Sequence, residues 1–75
     1  MLNGTQFKEL RQVAGLSIYA LADRAGVHWL TVLNAEKSDR TIKPETRRKL
    51  ERALAAAVEE QAMLVATARW LLAAA

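Results

Sequence analysis

The chain contains no cysteine, one proline, three glycines and one histidine, and only four of its 75 residues are Phe, Trp or Tyr. Without cysteine, neither disulfides nor thiolate metal sites can supplement a small core. One histidine, no glycine-rich phosphate loop and no evident carboxylate pair leave nothing that looks catalytic. Glu59 and Glu60 are adjacent, and neighbours on a helix do not share one face. No enzyme activity, cofactor or metal is expected. Sustained alternation of apolar and polar residues is missing, as are hairpin dipeptides, so no sheet is expected. There are no internal repeats. The opening "MLNGTQFKEL" lacks the basic start and apolar run of a secretory signal. The closing "AMLVATARWLLAAA" is shorter than a membrane span and carries Arg69. Cytoplasmic residence without a membrane partner is the expectation.

What is present is apolar and mildly basic. The hydrophobic fraction is 52%, enough for a folded chain, and the net charge is +3 with an isoelectric point near 9.8. Every Lys and Arg except Arg69 lies at or before Arg52. That first part suits an acidic partner such as nucleic acid, although a solvated surface explains the charge equally well.

Gly, Pro and capping residues punctuate an all-α chain. Asn3 with Gln6 has the spacing of a capping box, so a first helix starts near Gly4. Phe7, Leu10, Val13 and Ala14 give it a buried face, and Gly15 suits the turn that ends it. Ser17 caps a second helix over about 18–25, which buries Leu21, Ala22 and Ala25 and stops at Gly26. A third runs from about His28 to Lys37. Pro44 opens a fourth, with Leu50 and Leu54 on its inner stripe. From Pro44 onward there is no Gly or Pro. The choice lies between one helix of roughly 45 Å and a bend near "AAA" at 55–57. The bend is preferred here, because a fifth helix folded back would cover Phe7 and Leu10. The expected division is 1–57 as the main domain and 58–75 as an apolar helix for core closure and dimerisation.

The short turn at Gly26 between the second and third helices is the mark of a helix-turn-helix. Leu10-Arg11, Gly15-Leu16-Ser17, Leu21-Ala22, Ala25-Gly26-Val27, Thr31-Val32 and Glu36 together resemble the Cro/repressor-type, lambda-repressor-like helix-turn-helix family. The resemblance covers about Phe7 to Leu54. It implies a five-helix DNA-binding domain, usually a symmetric dimer on a palindromic operator. It also implies a structural ion pair between Arg11 and Glu36. Glu36 lies nearest the inward face of the third helix, where an acid needs a partner. The chain departs from the family pattern at Ile18 (commonly Gln), Ala35 (a large aliphatic) and Ser38 (Gly).

Base readers are expected on the third helix. With Val32 inward, 100° per residue points Leu30 and Asn34 outward, flanked by Thr31 and Leu33, with Trp29 intermediate. Asn34 can bond adenine bidentately, Leu30 can pack on a thymine methyl and His28 can donate to guanine or phosphate. Each has a plainer reading. Trp29 fills space left by Ala35, His28 merely starts the helix, and Leu30 with Leu33 forms a protein-binding patch. Phosphate contacts are expected from Ser17, Tyr19, Lys37, Arg40, Lys43 and Arg47. Dimerisation is expected through Val58, Val65, Ala68, Trp70, Leu71 and Leu72, because 58–75 is apolar almost all round.

The expectation is therefore a small sequence-specific transcriptional regulator, Cro-like or repressor-like, of phage or bacterial origin, binding double-stranded DNA as a homodimer. The rival is an interaction module with a regulatory protein partner, as an antirepressor or adaptor, or an autoregulating antitoxin.

Overall fold

The structure, a computed structural model, describes residues 3–37 and 42–75. Four helices follow in order: α1 (Gly4–Val13), α2 (Ile18–Ala25), α3 (Trp29–Lys37) and α4 (Pro44–Ala74). No strand occurs among the described residues.

Local chemistry sets most of the boundaries. The Asn3 side chain accepts from the Gln6 amide at 2.8 Å, while Gln6 Oε1 accepts from the Asn3 amide at 3.0 Å. Two donors that a helix start leaves open are thus satisfied reciprocally. Ser17 Oγ accepts from the Ala20 amide at 3.0 Å and starts α2 in the same manner. Gly26 takes φ 69°, ψ 36°, the left-handed geometry that glycine adopts without steric cost, and its amide returns to the last turn of α2.

The core joins Phe7 of α1, Leu21 and Ala22 of α2, Val32 and Ala35 of α3, and Leu50, Ala53 and Leu54 of α4. Leu10, Leu16, Ile18 and Val27 pack around it half-buried. Val13, expected inside, is exposed while Ala14 is buried. Six steps of 100° from Phe7 carry Val13 about 120° off the inward direction, and one more step brings Ala14 back to it.

Gly4 is buried where the backbones of α1 and α3 come close together. A Cβ there would stand 2.5 Å from the carbonyl oxygen of Glu36 and 3.0 Å from that of Ala35. The start of α1 therefore abuts the last turn of α3, and glycine is what lets it do so.

The bend at 55–57 does not occur. α4 runs without interruption over 31 residues, so the expected fourth and fifth helices are one. Alanine is the strongest helix former, and three in a row give the chain no reason to turn. Nor does 58–75 close the core over Phe7 and Leu10. Leu50, Ala53, Leu54 and Ala57 are the buried residues of α4, and every residue from Ala62 to Ala75 is exposed. The second half of α4 projects as a rod, which is why the molecule measures 50 × 21 × 17 Å. Arg24 and Glu60 pair across α2 and α4 near the point where the rod leaves the body. No described helix is long and apolar enough to cross a membrane.

Candidate nucleic-acid interface

The site begins with how α3 is held. Arg11 Nε donates to Glu36 Oε2 at 2.7 Å, and Arg11 Nη2 donates to Glu36 Oε1 at 3.1 Å. This is a two-point fork between guanidinium and carboxylate, the geometry that makes such pairs strong. A third guanidinium nitrogen, Nη1, donates to the Leu16 carbonyl at 2.9 Å. One side chain thus ties α1 to α3 and to the loop that precedes α2. The two side chains are only 13% and 7% exposed, so the pair is largely shielded from solvent.

The outer face of α3 follows from that anchorage. Val32 and Ala35 point inward, so His28, Trp29, Leu30, Asn34 and Lys37 are exposed, and Thr31 and Leu33 are half-buried at the flanks. A polar amide at Asn34 and an apolar side chain at Leu30 share that face, one helical turn apart.

Trp29 is 37% exposed and packs outside the core. Its ring centroid lies 5.7 Å from that of Tyr19 and 5.6 Å from that of His28. These tilted ring contacts join the beginnings of α2 and α3 into an aromatic corner. The corner was not legible beforehand, because Tyr19 and Trp29 meet only through the angle of the Gly26 turn.

His28 has a defined job in this corner. Its Nδ1 accepts from the Leu30 amide at 3.1 Å, and its carbonyl accepts from the Thr31 amide at 3.0 Å. The imidazole therefore caps α3 as a Ser or Asn would, with the ring proton on Nε2 left as a donor. His28→Ala is expected to lower the unfolding free energy by about 1 kcal/mol, whereas His28→Ser retains it. Urea midpoints of the two variants check this; equal losses would assign the effect to the ring contact with Trp29 instead.

Five cations flank the loop between α3 and α4. Lys37 closes α3, while Lys43, Arg47, Arg48 and Lys49 crowd the beginning of α4, against one acid in the first turn, Glu45. Cations at a helix N-terminus oppose the helix dipole, so this arrangement does not serve the helix itself. It does suit an anion laid against the helix end. Lys43 and Arg48 are exposed, and Arg47 is half-buried with its guanidinium 5.9 Å from the centre of the Phe7 ring. Ser17 Oγ accepts as the cap of α2 and still has its own proton to donate. Tyr19 is exposed beside Trp29. Arg40, the remaining phosphate candidate, lies outside the described residues.

Comparison with known protein families, with curated proteins and with solved structures yields no match to this chain.

Proposed function

We propose that this chain is a small sequence-specific DNA-binding regulator of transcription, of the Cro/repressor type and phage or bacterial in origin. Its lambda-repressor-like helix-turn-helix has the fourth and fifth helices merged into α4. It acts in the cytoplasm as a homodimer on double-stranded DNA, by binding rather than catalysis. The observation that carries this reading is the anchorage of α3. The Arg11–Glu36 fork and the approach of Gly4 hold its inner face rigidly, while Leu30 and Asn34 stay on its outer face. A reading helix needs that combination, because base contacts must be held in register by contacts to the sugar-phosphate chain. Lys37, Lys43 and Arg48 are cations placed for the second task.

Asn34→Ala is expected to weaken binding to the preferred fragment by about 1–3 kcal/mol and to leave nonspecific binding nearly unchanged. Lys43→Ala is expected to weaken all DNA alike and to flatten the dependence of binding on salt. Mobility-shift titrations on genomic or phage fragments, at several salt concentrations, check both. If Asn34→Ala and Leu30→Ala leave the preferred fragment untouched, α3 is not the reader.

The corner of Tyr19, Trp29 and Leu30 favours a second reading, in which the same face binds a regulatory protein, as in an antirepressor, an adaptor or an autoregulating antitoxin. That reading predicts DNA binding with no preference among fragments, or none at all.

A further inference from the structure

Beside the rod, Leu10 of α1 and one face of α4 border an open apolar groove of about 480 Å³. Leu10, Leu54, Val58 and Ala62 form its surface, and Glu51 and Glu59 are its two charges. Neither glutamate has an ion-pair partner among the described residues. The groove does not end where the body ends. Glu51, Ala55, Val58, Ala62, Val65, Arg69 and Leu72 follow one another at steps of four and three, one stripe along α4. Such alternation is the spacing of a seam between two paired helices. Past Glu60 the chain has a single charged residue, Arg69, and it stands in this stripe.

We infer that the exposed half of α4 docks into the α1–α4 groove of a second copy, antiparallel and reciprocally, with Arg69 of each copy held between Glu51 and Glu59 of the other.

Charge sets the direction. In a parallel pair Arg69 would face Arg69 of its partner, with no carboxylate near. In an antiparallel pair centred on Ala62, Arg69 stands opposite small Ala55, and Val65 falls within one residue of Val58. Glu51 and Glu59 then lie four residues to either side of Ala55, each about 6 Å along the helix. Leu72 reaches the end of the groove by Leu10 and Leu54. The covering of Leu10 that the chain does not provide for itself then comes from its partner. Ala62, at the dyad, permits close approach there.

The inference deepens the dimer part of the proposed function, and it also bears on the DNA part. With Ala62 at the dyad, Leu50 of one copy lies abreast of Ala74 of the other. About 24 residues at 1.5 Å each offset the two bodies by about 36 Å along the paired helices. One turn of DNA separates half-sites by about 34 Å.

The chain has no cysteine of its own, so introduced cysteines report neighbours directly. Under mild oxidation without DNA, Ala62→Cys is expected to cross-link to itself. Val65→Cys alone is expected to stay unlinked, but to cross-link when mixed with Val58→Cys. In sedimentation equilibrium at micromolar concentration the native chain is a dimer. Arg69→Glu weakens it at least tenfold, and adding Glu51→Lys with Glu59→Lys restores it. A native chain that stays monomeric overturns the inference and leaves the rod to a different partner. Efficient self-linking of Val65→Cys, or a dimer indifferent to Arg69→Glu, overturns it as well. None of these readouts contains DNA. A dimer formed as described that ignores DNA refutes only the DNA reading, and a DNA-binding monomer refutes only the docking.

Discussion

Replacing Glu36 by Ala is expected to lower the unfolding free energy by about 3–5 kcal/mol, and Arg11→Ala by a similar amount. Either change leaves a charge inside the fold with its partner gone: Arg11 is 13% exposed and Glu36 7%. Removing Arg11 also strands the Leu16 carbonyl, which accepts from Nη1 at 2.9 Å. A domain of this size has a total stability on the order of 5 kcal/mol, so either variant would be largely unfolded at 37 °C. Two further variants separate geometry from charge. Arg11→Lys keeps the charge but cannot make the two-point fork, and should recover only part of the loss. Arg11→Met combined with Glu36→Leu removes both charges and should be more stable than either single truncation. Thermal and urea unfolding followed by circular dichroism reads all four. If Glu36→Ala costs less than 1 kcal/mol, the pair behaves as an exposed one and does not hold α3.

How much of this was legible in the residues depends on the range of the interaction. The caps at Asn3 and Ser17, the left-handed turn at Gly26 and the first-turn proline of α4 are local, and each was readable from three or four neighbours. The inward faces of α3 and α4 followed from helical period alone. Arg11 and Glu36 were paired by family resemblance, supported by the cost of an unpartnered inward acid; nothing in their spacing of 25 residues says that they meet. The expected bend answers a global requirement, covering Phe7 and Leu10, but the local helix propensity decides the length of α4. "AAA" at 55–57 contains no stop signal, and Leu50 with Leu54 already buries Phe7. Gly4 could be placed at a helix start, but its need to be glycine arises from the α3 carbonyls that face it. The aromatic corner of Tyr19, Trp29 and His28 is likewise a product of how two helices cross. The steps of four and three that join Glu51 to Arg69 are plain in the sequence, whereas Glu59 comes beside that stripe only through the groove it shares with Leu10.

The other large expected effect is in the core. Leu50→Ala should cost about 2–5 kcal/mol, toward the upper part of that range. Leu50 is fully buried, in a core to which α1, α2 and α4 all contribute. The cost of such a truncation depends on whether neighbours can collapse into the space. Here Ala22, Ala35 and Ala53 make up much of the surrounding cluster, and alanine has no side-chain length with which to refill a cavity. The larger members of the cluster, Phe7, Leu21, Val32 and Leu54, are themselves fully buried. Leu72→Ala is the matching control, the same deletion at a site 77% exposed. In the isolated chain it removes no buried contact, so its unfolding midpoint should match the native one at low protein concentration. If Leu72 docks against a second copy, the two curves separate as concentration rises, because association stabilises only the folded form that dimerises. Leu50→Ala should lose stability at every concentration. Equal and concentration-independent losses in the two variants would mean that the rod is packed within its own chain, against the exposure of every residue from Ala62 to Ala75.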